Sequence, residues 1–491
     1  MHHNFLRLVT DSEIEQIRDA AMKILCKQGL VIKNQYVLEK CEKKGIKVDY
    51  ANQTIEITPE IWKKLEERAI CSAPLESSEL ISRRYGTYDK KNQEAVIRRD
   101  PPKGMKLGRN ITSYYDYKTG TKRGACLNDN IEMAKAMHVL KEVSSAAPLW
   151  TSLELEPVVE PIISLANSFK FTDKPFSEIE LMMPGQLKYI EELHSIKEDR
   201  QVKYHHYFAS MTRFTLDKNA AGIMEEIDKA NGLTHWGSNS VPILGLNCPV
   251  TIAGAAAVGM AEMFSGWVPA WALNEEIILN SVPVSGSMDM KTSRVLFSSP
   301  EATLVDATLY QVYNVLYNMT THPENSATYI DGKIPGLQAC YDKVYKSMTL
   351  FSFTGCDVGS HYGYLESGTS ISPAQLMLDF DIDDNMHKTV SGVDVSGETL
   401  ALELIDKIGV NGNFIEEAHT FKHFRKLWNP KLFDRTNYSD DETEKRVDAE
   451  LLEKAQQKYD DAIKSYVQPD IDEAKIKAYD EIITRAEKEL L

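Results

Sequence analysis

The chain has 491 residues, 43% hydrophobic and 26% charged, proportions of a globular protein with enough apolar side chains for a large core. A formal net charge of -16 opposes nonspecific attraction to nucleic acid or anionic lipid, which needs clustered Lys and Arg, so no nucleic-acid partner is expected. Seven cysteines without a C-x-x-C pair argue against a disulfide framework and a cysteine-rich zinc site.

The opening "MHHNFLRLVTDSEIEQ" lacks a basic segment leading into an apolar run with a small-residue cleavage site, so a cytoplasmic protein is expected. Residues 12–29 place Ile14, Ile17, Ala21, Ile24 and Leu25 on one helical face and stop at Gly29. Thr58 as cap and Pro59 at the first helical position open a second helix, "TPEIWKKLEERAI". The stretch "RRYGTYDKKNQEAVIRRD" reads as turn and strand, closing an N-terminal α+β lobe over 1–140.

From about Glu142 strand-like runs alternate with helical ones. "APLWTSLEL", "PFSEIELMM", "YHHYFASM", "LTHWGSNS", "VPVSGSM", "SATYI" and "CDVGSHYGYL" are the strand candidates. Repeated strand-then-helix units predict an α/β fold with a parallel sheet and helices outside. A closed (β/α)8 TIM-type barrel over 141–437 leads, and an open doubly wound sheet follows without its usual G-x-G-x-x-G or Walker A support. Within this region Asn247–Leu273, "NCPVTIAGAAAVGMAEMFSGWVPAWAL", is long enough to cross a bilayer. Pro249, Pro269 and the single charge at Glu262 favour instead a helix buried between a sheet and another layer, and no membrane partner is expected. Residues 438–491 form a charged helical tail split at Pro469, whose stripe of Val447, Leu451, Ala455, Tyr459 and Ile463 is suited to clasp the body or a sister subunit; a homo-oligomer is expected.

Barrel enzymes carry chemistry at the C-terminal ends of strands. His235, Trp236, Ser238 and Asn239 lie at one such end, Ser287 and Asp289 at another, Tyr329 and Asp331 at a third, and His361, Tyr362, Tyr364 and Glu366 at a fourth. A lone His or Trp in a strand is more often a core residue than a site residue; convergence at several strand ends brings the functional reading of the group level with core packing. His419 and His423 are spaced i, i+4 on a probable helix behind Glu416, but Thr420 follows His419, so the pattern is not H-E-x-x-H.

Four segments taken together carry a family resemblance: "RLVTDSEIEQIRDAAMKILCKQGLVI", "CPVTIAGAAAVGMAEMFSG", "GSHYGYLESGTSISPAQLMLD" and "GVNGNFIEEAHTFKHFRKLWNPKLFDR". In this order, over roughly residues 5 to 440, the chain resembles the trimethylamine methyltransferase superfamily in its non-pyrrolysine branch, corrinoid-dependent methyltransferases acting on quaternary amines. The resemblance implies an eight-fold α/β barrel, a structural role for "HTFKHF", a corrinoid carried by a cognate partner protein, and no tightly bound metal. The sequence departs from the family pattern in having no pyrrolysine, in "NEEIILNSVPVSGSM" after the middle motif, and in Gly336 near Lys333.

The implied chemistry needs orientation of a quaternary ammonium rather than an acid–base pair. Trp236, Tyr362 and Tyr364, with Tyr329, are candidates for an aromatic cage. Asn239 or His361 is the candidate donor to a betaine carboxylate, Asp331 the candidate countercharge, and His361 the catalytic candidate. A metal-dependent barrel hydrolase and a noncatalytic quaternary-amine binding protein are the competing classes.

Overall fold

The computed structural model describes residues 6–85, 88–89, 94–95, 103–104, 111–176, 179–319, 329–355, 359, 362–435 and 447–491. Its centre is a parallel ladder in which His206–Ser210 and Ile278–Pro283 flank His235–Ser240, with His206 opposite His235 and His235 opposite Ile278. A parallel bridge between Ala146 and Phe176 and short parallel pairings of Lys103–Gly104 with Val143–Ser145, Ile243–Leu244 with Gly286–Asp289, and Ser370–Ile371 with Ser113–Asp116 extend the same sense. The architecture is mixed α/β, and the ladders among the described residues do not close into a ring.

The alternation of the central strand sorts its side chains. Gly266, on the Ile252–Leu273 helix, approaches Ser238 so closely that an added Cβ would lie 2.3 Å from its Oγ, while one at Gly259 would lie 3.1 Å from Pro242 and 3.5 Å from Ser240 Oγ. Trp236, Ser238 and Ser240 therefore face this helix, and His235, Gly237 and Asn239 face the other way. The helix is buried almost throughout because it is covered twice, by the sheet on one side and by the Asp11–Gln28 helix on the other. No helix among the described residues is long and apolar enough to cross a membrane. Pro269 sits inside the helix rather than ending it, which runs on to Leu273.

The Asp11–Gln28 helix begins with a reciprocal cap: Thr10 Oγ1 accepts the Glu13 N–H at 3.3 Å, and Glu13 accepts the Thr10 N–H at 2.8 Å. It buries Ile14, Ile17, Ala21 and Leu25, the face its periodicity predicts. Thr58 caps the Pro59–Tyr85 helix by accepting the Ile61 N–H at 3.4 Å.

Tail helices Val447–Lys464 and Glu473–Leu490 lie against the body, the first on Pro373–Val390 and the second on Glu160–Phe169 and Leu187–Glu198. Ala455, Tyr459, Tyr479, Ile482 and Ala486 are buried there, and Lys170 pairs with Asp480 at 2.6 Å. The tail thus clasps its own body.

Candidate functional site

Buried carboxylates on the outer helices fix the loops that follow the strands. Glu262 accepts the Arg213 N–H at 2.9 Å and the Val241 N–H at 3.3 Å, joining the segments that leave two neighbouring parallel strands. Burial pushes its carboxyl up to about 7, against the lowering effect of those two amides. Asp306 accepts the Ser285 N–H at 2.8 Å after the third strand. Lys346, fully buried, stands 4.0 Å from the other Asp306 oxygen and donates to the Tyr329 carbonyl at 3.3 Å. Burial lowers this ammonium and raises Asp306 to about 7.

The Pro373–Val390 helix repeats the device. Asp379 pairs with buried Lys343 and accepts the Gly363 N–H at 2.6 Å, while Asp381 accepts the amides of Lys431 and Leu432 at 2.8 and 2.6 Å. Carboxylates bound this way position backbone and have little freedom to meet a ligand.

On the sheet face turned away from the Ile252–Leu273 helix, Phe208 covers Gly237 and remains 37% exposed, and Ser210 is exposed beside it. Asn239 and Asn280 share this face on adjacent strands, and the side-chain oxygen of each is buried without a hydrogen-bond partner. Such amides are costly to leave unsatisfied unless a ligand or water completes them.

Glu180 is exposed between buried Ile179 and Leu181, next to the strand that carries Phe208, whose neighbour Tyr207 donates to the Leu181 carbonyl at 3.0 Å. Its negative charge acts on three tyrosines. Burial raises Tyr207, Tyr329 and Tyr364, and the Glu180 charge raises each further.

The structure distributes the sequence candidates unevenly. Tyr364 feels the charges of Tyr329 and Glu180, and Tyr329 packs on Gly368 and 5.5 Å from the Phe297 ring. Asn239 lies on the open face. Trp236 does not: it is 1% exposed on the helix-facing side, 5.9 Å from the Tyr207 ring, because it stands three residues from Asn239 on a period-two strand. Tyr362 turns into the helices and donates to Asp383 at 2.8 Å. Asp331 accepts the Phe297 and Ser298 amides at 2.8 and 2.9 Å, the role of a loop clamp rather than of a countercharge. His361 lies outside the described residues.

Ser287 donates to Ser299, Asp289 closes a turn with Thr292, and Glu366 pairs with Lys122. His419 and His423 both turn toward Glu398, and no group of three metal-binding side chains occurs among the described residues. Sequence reasoning missed Glu180, Phe208 and Asn280. The one available signal was an acidic residue within the strand-like run "EIELMM".

Comparison with known proteins decides the family. The trimethylamine methyltransferase (MTTB) family model matches residues 115–490. The chain belongs to the trimethylamine methyltransferase family. This family member is 29% identical over 259 residues to the trimethylamine methyltransferase MttB of Methanosarcina barkeri (strain Fusaro / DSM 804), covering 51% of this chain and 49% of that protein. To the enzyme of the same name from Methanosarcina thermophila it is 30% identical over 203 residues, 41% of each. Its match thus spans about half the length of the first of these relatives or less. To the glycine betaine methyltransferase of Desulfitobacterium hafniense (strain Y51) this family member is 24% identical over 497 aligned positions, 96% of both chains.

Proposed function

We propose that this protein demethylates a betaine-type quaternary amine, of the class of glycine betaine, proline betaine, carnitine or butyrobetaine, and passes the methyl group to the Co(I) corrinoid of a cognate partner protein. The observation that carries this reading is the open face of the central ladder, where Phe208 and Asn239 stand beside the segment of exposed Glu180 that Tyr207 fastens through the Leu181 carbonyl; Tyr329 and Tyr364, which both feel the Glu180 charge, are proposed to join it. A quaternary ammonium has no N–H to donate, so aromatic faces and a countercharge are what hold it. The side-chain NH2 groups of Asn239 and Asn280 are proposed to donate to the substrate carboxylate, while their partnerless Oδ1 atoms, being acceptors, are left to water. His361, next to the described Tyr362, is proposed to meet either that carboxylate or the methyl acceptor.

When bound, the corrinoid supplies the nucleophile for the methyl carbon. The N–CH3 bond breaks with its electron pair remaining on nitrogen, so the departing tertiary amine is neutral and needs no general acid. The protein's task is alignment of carbon, nitrogen and acceptor. This accords with a sequence containing no pyrrolysine and with the end-to-end alignment to a glycine betaine methyltransferase. The parallel ladders are read here as an arc of a (β/α)8 barrel, which brings the segments after its strands to one end.

The test is a spectroscopic assay with Co(I) cobalamin, or the cognate corrinoid protein, and a panel of quaternary amines plus trimethylamine. Methylation of the corrinoid with one betaine is expected. Transfer from trimethylamine alone, or binding without transfer even to the cognate protein, overturns the proposal, the latter in favour of a noncatalytic binding protein.

A further inference from the structure

The backbone that follows Glu180 is held at every step. Tyr207 bonds the Leu181 carbonyl, and the next two amides end on one side chain: Gln186 Oε1 accepts the Met182 and Met183 N–H groups at 2.8 and 3.0 Å. The Gln186 Nε2 donates in turn to the Pro157 and Val158 carbonyls at 3.2 and 2.9 Å. This amide is fully buried and has both its donors and both its acceptor positions engaged, so it ties Met182–Gln186 to the chain at Pro157–Val158.

Gly185 is the crowded point of this segment. Its φ of +95° suits glycine, and its N–H donates to Glu226 at 2.9 Å. A Cβ added there would lie 3.0 Å from Leu490 Cδ2, so the tail's side chain occupies the space that glycine leaves. Leu490 is brought to this spot by the helix that begins directly after Gln186. Tyr189, 1% exposed, donates to Glu489 at 2.7 Å, Lys188 pairs with the same carboxylate, and Arg485 meets both oxygens of Glu192 at 2.7 Å.

We propose that the Glu473–Leu490 helix is part of the substrate site's support: Leu490 on Gly185, with Gln186 beyond it, fixes the backbone from which Glu180 projects. Leu490 and Gln186 are thus positioning residues for the countercharge. The inference rests on the proposed function for the role of Glu180, and goes beyond it in giving the tail a part in binding.

The test compares wild type with L490A, L490M, E180Q and E180Q/L490A, each checked for folding by circular dichroism. Hydrogen exchange reads the amides of Met182 and Met183, and calorimetry reads binding of glycine betaine, proline betaine, carnitine and butyrobetaine. In L490A these amides are expected to exchange faster, and the betaine to bind about threefold or more weakly. L490M should restore both, and L490A should add nothing to E180Q, since its effect runs through that carboxylate. Unchanged exchange overturns the proposal whether or not any betaine binds. Faster exchange at unchanged affinity, in a protein that E180Q does weaken, overturns it too. A wild type that binds no betaine, or an E180Q that binds as wild type, strikes instead the role of Glu180 in the proposed function, and the link from tail to binding falls with it.

Discussion

Glu262, midway along a helix that never reaches the open face, accepts the amide of Arg213 beyond the end of a neighbouring strand. Arg213 and the following Phe214 both have positive φ, 55° and 53°, so this turn is strained and needs such a partner. Replacing Glu262 by Ala leaves two amides without their acceptor and is expected to cost about 2–4 kcal/mol, read as a lowered midpoint in urea.

The same residue predicts a pH dependence. Its carboxyl is at about 7 in the folded protein and near the ordinary 4.5 when unfolded, so between these values the folded state holds the extra proton. Stability therefore declines as pH rises from about 4.5 to 7 and levels above, by an amount on the order of 3 kcal/mol from this group. Asp306 titrates in the same sense and window. In E262Q this contribution disappears, so the stability of the variant relative to wild type should improve between pH 5 and 8. An unchanged difference across that range would refute the assignment.

Glu180 and Asp331 should separate cleanly. E180Q is expected to weaken betaine binding about tenfold by calorimetry at an unchanged melting temperature, because the side chain is exposed. D331N should lower the melting temperature first, since its carboxylate holds two amides. The reverse pattern would restore Asp331 as the countercharge.

The proposed cation–π contact uses the Tyr329 ring and not its hydroxyl. Y329F should keep affinity within about threefold, and Y329L should lose roughly 5- to 30-fold. A neutral isostere with carbon in place of nitrogen should bind equally to both variants. Discrimination by Y329F against that isostere would argue for a hydroxyl contact.

Lys343 and Asp379 form an ion pair with both side chains fully buried. K343M leaves the carboxylate without its cation and is expected to cost about 3–5 kcal/mol, while K343M/D379L should recover part of that loss. Chemical denaturation of the three proteins measures both effects.

The helices were legible because their periodicity and caps are local: Ile14 to Leu25, Thr58 before Pro59, and Leu451, Ala455, Tyr459 and Ile463 of the tail stripe all pack as their spacing requires. Parallel strands at "YHHYFASM" and "LTHWGSNS" were legible too, although the regular ladder begins at His206 and His235. The site was only half legible. Trp236 and Asn239 are close in sequence but an odd number of strand positions apart, and a cage drawn from both ignores the pleat. Asp331 carries the same charge as Glu180, yet its engagement depends on the amides of Phe297 and Ser298, more than thirty residues away. Nothing in the local sequence reports such a partner.

Gly266 presses its bare backbone against Ser238, the residue immediately before Asn239. An alanine there has no room unless the strand slides forward or the helix retreats, and either movement is passed to the amide on the far side. If the open face binds substrate as proposed, G266A is expected to shift substrate preference from behind, through a helix buried on the other side of the sheet. Directed searches for altered selectivity have reason to sample Gly259 and Gly266 alongside the residues that line the open face.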